Sequence, residues 1–162
     1  MSEHELASQL RNIFGSLVNG LTEMQTLLQQ EHLALTDNNL DNITPLAKQK
    51  EKLSLHIERQ ESLRRTLLEK HQLPFGKNSL ALLSRKLPKA VIVELLRAWD
   101  QVVELSRGCA TQNQINGVVL AHQQRRTQAA LRILRGHDGQ NEIYSATGNT
   151  KDPFNQTSLA RI

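Results

Sequence analysis

The feature that most constrains this chain is the spacing of its apolar residues in three long segments, which follows steps of three and four. Such spacing places one apolar stripe along a helix and favours the packing of helices against one another. Occasional polar residues interrupt each stripe. The first segment carries Leu6, Leu10, Ile13, Leu17, Leu21, Met24, Leu28, Glu31 and Leu35. The second carries Leu46, Lys50, Leu53, Ile57, Gln60, Arg64, Leu67 and His71, with Leu63 and Leu68 widening its face. The third carries Ile92, Leu96, Trp99, Val103, Ser106, Cys109, Asn113, Asn116, Leu120, Gln123, Thr127, Ala130 and Leu134.

Helix-breaking residues separate these segments and set their predicted ends. Polar residues at 36–39 and the proline and glycine within 71–78 favour turns. We expect main helices near 3–36, 40–72 and 88–135, with a short helix near 79–86. Pro45 either begins the second helix or kinks it, and the sequence leaves both open.

The predicted fold is therefore all-α. It is an elongated antiparallel helical bundle or coiled coil of three main helices, followed by a flexible C-terminal tail. The helical domain spans residues 1–136. The tail, residues 137–162, is rich in Gly, Asn, Ser and Thr and isolates its few apolar residues, which cannot offset the entropy of ordering.

The composition is typical of one helical domain in a reducing compartment. Leucine occurs 27 times among 162 residues, whereas Phe, Trp and Tyr together number five. The opening residues resemble no signal peptide, and no apolar run is long enough to cross a membrane. Cys109 is the single cysteine, so no intramolecular disulfide can form. We expect a cytoplasmic protein.

The net charge of +4 is unevenly distributed and leaves one alternative function open. Residues 41–90 hold eleven bases and five acids, whereas residues 1–40 hold one base and five acids. This basic middle could serve a helical adaptor that binds nucleic acid or another acidic surface. However, bases alternate with acids there, and Phe75 is the only aromatic residue between Ile43 and Lys89. Because single-strand binders commonly stack bases on aromatic rings, no nucleic-acid partner is expected.

No pattern in the sequence indicates catalysis. The six histidines are scattered without metal-ligand spacing, and no Gly-rich phosphate loop or nucleophile elbow occurs. Glu58 and Glu61 are flanked by arginines, which favours surface ion pairs over an acid–base pair. Cys109 lies within an apolar stripe and is interpreted as a small buried side chain. We predict no enzyme, no cofactor and no metal.

The stretch from residue 113 to residue 148 resembles the C-terminal signature of FlgN-type flagellar export chaperones. Asn113, Asn116, Gly117 and Leu120 carry the first part of this resemblance and are expected to fix helix register. The remaining matching elements are the Arg125–Gln128 run, the apolar end at 131–134, and Tyr144 with Gly148. Residues 1–112 agree with the family in helical layout alone.

The resemblance implies a cytosolic chaperone of flagellar type III secretion. It implies that the cargo is the hook–filament junction proteins FlgK and FlgL, held before assembly and delivered to the export gate protein FlhA. By the same resemblance, Tyr144 would dock on FlhA. The neighbouring Ile143 and Gly148 belong to that docking motif, in which an aromatic residue stands in a polar segment.

The end of the third segment is the predicted cargo-binding surface. With nearly fifty residues, this helix is longer than its two partners, so its end must meet cargo, a second copy of the chain, or solvent. Apolar residues there occupy more than one helix face, which is excessive for a solvated helix. The predicted cargo-binding residues are Val118, Val119, Ala129, Leu131, Ile133 and Leu134. Self-association remains an open alternative.

Overall fold

A computed structural model describes residues 3–136, and these residues form four helices and no strand. The helices are α1 (Glu3–Thr36), α2 (Leu40–Lys70), α3 (Lys77–Leu83) and α4 (Lys89–Leu134). The predicted all-α bundle of three main helices is therefore confirmed, with α3 as the predicted short helix. Packing divides the chain into a first unit, Met1–Ala121, and a second, His122–Ile162, of which residues 122–136 are described. The tail predicted at 137–162 lies outside the described residues.

Both long N-terminal helices end in the same hydrogen-bonded motif. After α1, the N–H of Asn39 donates to the carbonyl of Ala34, while the N–H of Asn38 donates to Leu35. Asn38 adopts a left-handed backbone with φ of 55°. This pattern is the Schellman motif, which satisfies carbonyls at a helix end and requires a left-handed residue. The polar turn predicted at 36–39 therefore ends α1.

The end of α2 repeats this motif with a residue poorly suited to it. The N–H of Leu73 donates to Leu68 and the N–H of Gln72 donates to Glu69. Gln72 takes the left-handed position with φ of 53°, although a Cβ makes that conformation costly. Pro45 lies inside α2, as its sixth residue, so it does not begin the helix.

The helix directions within the first unit follow from paired residues. Glu31 on α1 pairs with Lys50 on α2, and Ser16 with His56, so these helices are antiparallel. On α4, Cys109 donates to the carbonyl of Leu21, and Asn116 donates to that of Leu28. In both pairs the two residues are 88 positions apart in the sequence. The helices α1 and α4 therefore run in the same direction with a constant alignment.

The core is built mainly on α1, whose predicted stripe is confirmed by burial. The apolar residues of that stripe from Leu6 to Leu28 are buried, and α3 adds Leu80 and Leu83. Each buried leucine contributes roughly 1.5–3 kcal/mol of transfer free energy. On α2, Leu68 is buried as predicted, but Leu63 is half exposed, so its predicted role in widening the apolar face is wrong.

The predicted stripe of α4 is confirmed at the buried Ile92 and Cys109 but is wrong at two positions between them. Val103 and Ser106 are exposed, whereas the neighbouring Val102 is buried and Leu105 is half-buried. The buried positions Leu95, Val102, Cys109 and Asn116 are spaced seven residues apart. Since α4 follows α1 along a common register, this heptad line faces the core.

Candidate functional site

Most of the cargo-binding residues predicted on α4 are exposed at the surface. The exposed fractions are 62% for Val118, 43% for Leu131, 69% for Ile133 and 81% for Leu134. Val119 and Ala129 are half-buried. Several neighbouring large apolar side chains exposed on a monomeric protein commonly mark an interaction site.

These residues are distributed over both units. Val118 and Val119 lie in the first unit, whereas Ala129, Leu131, Ile133 and Leu134 lie in the second. Within the second unit, Ala129 and Ile133 are four residues apart, and Leu131 and Leu134 are three apart, so each pair shares a helix face. The structure thus groups four predicted residues in one helical turn and a half.

The residues Asn113, Asn116, Gly117 and Leu120, which carry the resemblance, differ in their surroundings. Asn116 is buried, while the other three are exposed. The Asn116 amide nitrogen donates to the Leu28 carbonyl and to the Glu31 carboxylate, both at 2.8 Å. Its oxygen accepts from Gln112 at 3.0 Å and lies 3.1 Å from His32 Nδ1. All hydrogen-bonding positions of this amide are therefore used.

This amide network extends to α2 through an ion pair. Lys50 contacts Glu31 at 2.7 Å, and both side chains are largely buried. Lys50 also donates to Asn113 at 3.4 Å. Because a buried amide without partners costs about 1–3 kcal/mol, other alignments of α1 and α4 are disfavoured.

A second polar contact joins α2 to α4 around an aromatic ring. Arg64 is buried, binds Glu61 through two hydrogen bonds of 2.7 Å, and lies 4.7 Å from the centre of the Trp99 ring. The bond from Arg64 lowers the pKa of Glu61 despite partial burial. Arg65 also contacts Glu61, at 3.2 Å.

These ion pairs bear on the alternative of a basic adaptor. Three cations of the basic middle segment, Lys50, Arg64 and Arg65, pair with carboxylates within the first unit. The ion pairs predicted around Glu61 are thus observed. Paired cations offer less attraction to an acidic surface than unpaired ones, so this segment is a weaker candidate for a binding site.

The cysteine and the potential metal ligands do not assemble a reactive site in the described part of the chain. Cys109 is buried as predicted, and this burial raises the pKa of its thiol. A raised pKa leaves less thiolate, the nucleophilic form. Among residues 3–136, no three His, Cys, Asp or Glu side chains are grouped to hold a metal ion. No helix of that range has the length and apolar character of a membrane span.

Sequence reasoning missed a groove between α1 and α2. Two adjoining recesses share Gln30 and Gln49, and Leu33 is exposed at one of them while Leu27 lines the other. Leu27 and Leu33 both lie off the predicted stripe of α1. These two leucines off the stripe were the sequence signal from which the groove could have been predicted.

The basic character of the second unit is a further feature that sequence reasoning missed. Residues 122–136 contain four arginines, Arg125, Arg126, Arg132 and Arg135, and no Asp or Glu. Gln128, Leu131, Arg132 and Arg135 line one surface recess. Apolar and cationic groups therefore adjoin at the end of α4.

The predicted gate-docking residues Ile143, Tyr144 and Gly148 lie outside the described residues. Comparison with known proteins does cover them. A family model described as FlgN protein matches residues 1–152. The match thus includes the first two helices, where the resemblance had rested on layout alone. No curated protein and no solved structure gave a significant match to the chain.

Proposed function

Because this chain belongs to the FlgN family of flagellar export chaperones, which bind hook-associated proteins, we propose that its cargo is the junction proteins FlgK and FlgL. In this proposal the chaperone acts in the cytoplasm, prevents premature assembly of its cargo and delivers it to the export gate. The observation that carries the proposal is the cluster of exposed apolar residues at the end of α4.

The proposed cargo-binding surface consists of Val118, Val119, Ala129, Leu131, Ile133 and Leu134. Proteins that assemble into a helical tube must expose apolar helix faces before assembly, and such faces aggregate unless covered. An exposed apolar helix end can cover them by packing helix against helix. The exposed Leu131, Ile133 and Leu134 provide contact area at one end of α4.

Delivery is assigned to Ile143, Tyr144 and Gly148, which would dock on FlhA. This part of the proposal rests on the resemblance around Tyr144 and on the family match across residues 1–152. A tyrosine in a polar segment supplies a large apolar face and a hydroxyl at modest entropic cost. Separate surfaces for cargo and gate would allow both to be held at once.

Co-purification tests the cargo assignment directly. The full chain is expressed with tagged FlgK or FlgL from the same source, and the complex is sized by light scattering after gel filtration. We expect a discrete complex of defined stoichiometry with each junction protein. Elution of the chaperone without either cargo, while it remains folded by circular dichroism, would contradict the proposal.

A further inference from the structure

The stretch that leads from the end of α2 through α3 into the start of α4 contains five bases and no acid. The bases within residues 70–93 are Lys70, Lys77, Arg85, Lys86 and Lys89. The cations of the basic middle segment that pair with Glu31 or Glu61 are Lys50, Arg64 and Arg65, which all precede this stretch. Those ion pairs therefore do not neutralise the bases of residues 70–93.

The acids around this stretch do not balance its charge. Glu69 precedes it and Glu94 follows it, but Glu94 is paired with Arg11. This ion pair places the first turn of α1, which contains Glu3 and Glu5, at the same end of the first unit. If Glu3, Glu5 and Glu69 each neutralised one of the five bases, two positive charges would remain. A surface with excess positive charge attracts anions.

Three of these bases are exposed at junctions between helices. Lys70 ends α2, Arg85 lies in the turn after α3, and Lys89 begins α4. In the described part of the chain, none of the three forms an ion pair with a carboxylate. They are therefore available to an anionic partner.

Two large apolar side chains are exposed in the same stretch. Phe75 is 54% exposed in the turn between α2 and α3, and Leu82 is 44% exposed on α3. The neighbouring Leu80 and Leu83 are buried in the core, so Leu82 lies on the opposite, solvent-facing side of α3. Bases and exposed apolar side chains thus occur together here. The basic end surface, as we call it, consists of Lys70, Phe75, Leu82, Arg85 and Lys89.

We propose that the basic end surface binds an anionic lipid bilayer, with Phe75 inserted among the lipid headgroups. A bilayer that contains acidic lipids has a negative surface potential, which attracts clustered lysines and arginines. Burial of an apolar side chain at the interface adds to this attraction. The basic end surface shares no residue with the proposed cargo-binding surface, so the proposal is independent of the cargo assignment.

Two features favour a lipid surface over nucleic acid or an acidic protein. Residues 70–93 contain a single aromatic residue, Phe75, whereas single-strand binders commonly stack bases on several aromatic rings. Four of the five bases are lysines. A lysine is a point charge on a flexible stem, which suits the mobile headgroups of a bilayer, whereas planar recognition of a fixed carboxylate or phosphate favours arginine.

Vesicle sedimentation tests the charge requirement with the full chain. Vesicles of phosphatidylcholine alone are compared with vesicles of phosphatidylcholine and phosphatidylglycerol at three to one. We expect the chain to sediment with the anionic vesicles and not with the neutral ones, and the bound fraction to fall steeply as salt is added. Equal sedimentation with both kinds of vesicle, or none with either, would overturn the proposal.

Charge removal on the protein identifies the surface. The double variant Lys70→Gln/Lys89→Gln should lower the partition coefficient for the anionic vesicles about tenfold or more. The matched control is Lys48→Gln/Lys52→Gln, which removes two exposed lysines from α2 and should have a much smaller effect. Circular dichroism verifies that each variant is helical. An equal loss in both double variants would overturn the proposal, because it would indicate a general effect of net charge.

Substitutions at Phe75 test insertion. Phe75→Ala should weaken binding to the anionic vesicles about fivefold, whereas Phe75→Trp should bind at least as well as the original chain, since tryptophan favours the membrane interface. The control is Leu55→Ala on α2, where the leucine is 62% exposed. Unchanged binding in Phe75→Ala would overturn the proposal. An equal loss in Phe75→Ala and Phe75→Trp would also overturn it, because residue 75 would then act through the fold.

Two soluble probes separate the bilayer from other anionic partners. A short labelled single-stranded RNA and a short labelled polyglutamate peptide are titrated against the full chain and followed by fluorescence anisotropy. We expect both to bind far more weakly than the anionic vesicles do. Tight binding of either probe that is lost in Lys70→Gln/Lys89→Gln, by a chain that does not sediment with anionic vesicles, would overturn the proposal in favour of that class of partner.

Discussion

Asn116 shows how one side chain can set the alignment of two helices. It is a buried polar residue on α4, and its amide is saturated by Leu28, Glu31, His32 and Gln112. The sequence has a polar residue here within an apolar stripe, which indicated that the residue fixes the register of the helices. It did not reveal which of the neighbouring amides would be buried, since Asn113 occupies the same predicted stripe and is exposed.

The variant Asn116→Ala should therefore lower the free energy of unfolding by about 1–3 kcal/mol, because its partners lose their hydrogen bonds inside the bundle. Urea unfolding measures this loss. The control is Gln114→Ala, which should change stability by less than about 0.5 kcal/mol at an exposed position of the same helix. Equal effects of the two variants would contradict the assigned role of Asn116.

Gln72 provides a test of the helix end that it forms. Its left-handed backbone, with φ of 53°, is costly for any residue that has a Cβ. Gln72→Gly should therefore stabilise the fold by about 1 kcal/mol. The same replacement inside α2, Gln49→Gly, should destabilise it by about 1 kcal/mol. A loss of stability in both variants would show that Gln72 does not bear this strain.

At the scale of elements, the helices were predictable because residues that disfavour helix mark their boundaries. The turns at 36–39 and 71–78 contain residues that end helices, and α1, α2 and α4 end within two residues of the predicted positions. The face that α4 buries was less predictable. Leu95 and Leu96, like Val102 and Val103, are adjacent apolar pairs, so two neighbouring lines satisfy the same spacing. Contact with α1 selects one of these lines.

The candidate cargo-binding surface on α4 was also partly predictable from the sequence. An excess of apolar residues at the end of α4 indicated exposure, and Leu131, Ile133 and Leu134 are exposed. The four arginines of residues 122–136 were visible in the sequence, but a charge count over the whole third segment includes the acids Glu94, Asp100 and Glu104 and so hides them. The groove between α1 and α2 depends on how two helices pack, which no single stripe specifies.

The ion pair between Glu61 and Arg64 on α2 predicts a pH dependence. The hydrogen bond from Arg64 lowers the pKa of Glu61 below its ordinary value of 4.5. A carboxyl group with a lowered pKa in the folded state stabilises the fold above its ordinary pKa, and this contribution is lost as pH falls through the lowered value. Thermal unfolding should thus show Glu61→Gln less stable than the original chain at pH 7, with the difference shrinking below about pH 4.

The exposed Glu58 on the same helix is the matched control for this measurement. Glu58→Gln should alter the melting temperature little at either pH. A constant difference between Glu61→Gln and the original chain from pH 7 to pH 3 would contradict the assigned ion pair.

At the scale of the whole molecule, the two units have different roles in this account. The described core lies in the first unit, whereas Leu131, Ile133 and Leu134 of the second unit are exposed. Family membership establishes the chaperone class, and the division of surfaces between cargo and gate is our proposal. Variants at the proposed surfaces should accordingly alter binding without altering the stability of the bundle.

The gate assignment predicts that Tyr144→Ala weakens binding to the cytosolic domain of FlhA and leaves cargo binding intact. Loss of the aromatic face removes the proposed anchor, whereas Tyr144→Phe retains it and should lose less affinity. Calorimetric titration of the cargo-loaded chaperone against that domain measures both variants. Unchanged affinity in Tyr144→Ala would remove this residue from the docking site.

The central claim is that the end of α4 holds the junction proteins, and calorimetric titration of FlgK against Leu134→Asp tests it most directly. Leu134 is 81% exposed, so this change should leave urea unfolding within about 0.5 kcal/mol of the original chain. The matched control is Leu55→Asp on α2, where the leucine is 62% exposed. We predict that Leu134→Asp weakens FlgK binding about tenfold or more, whereas Leu55→Asp binds as the original chain does. Full affinity in a folded Leu134→Asp variant would contradict the claim, and loss in Leu33→Asp instead would place the cargo in the groove between α1 and α2.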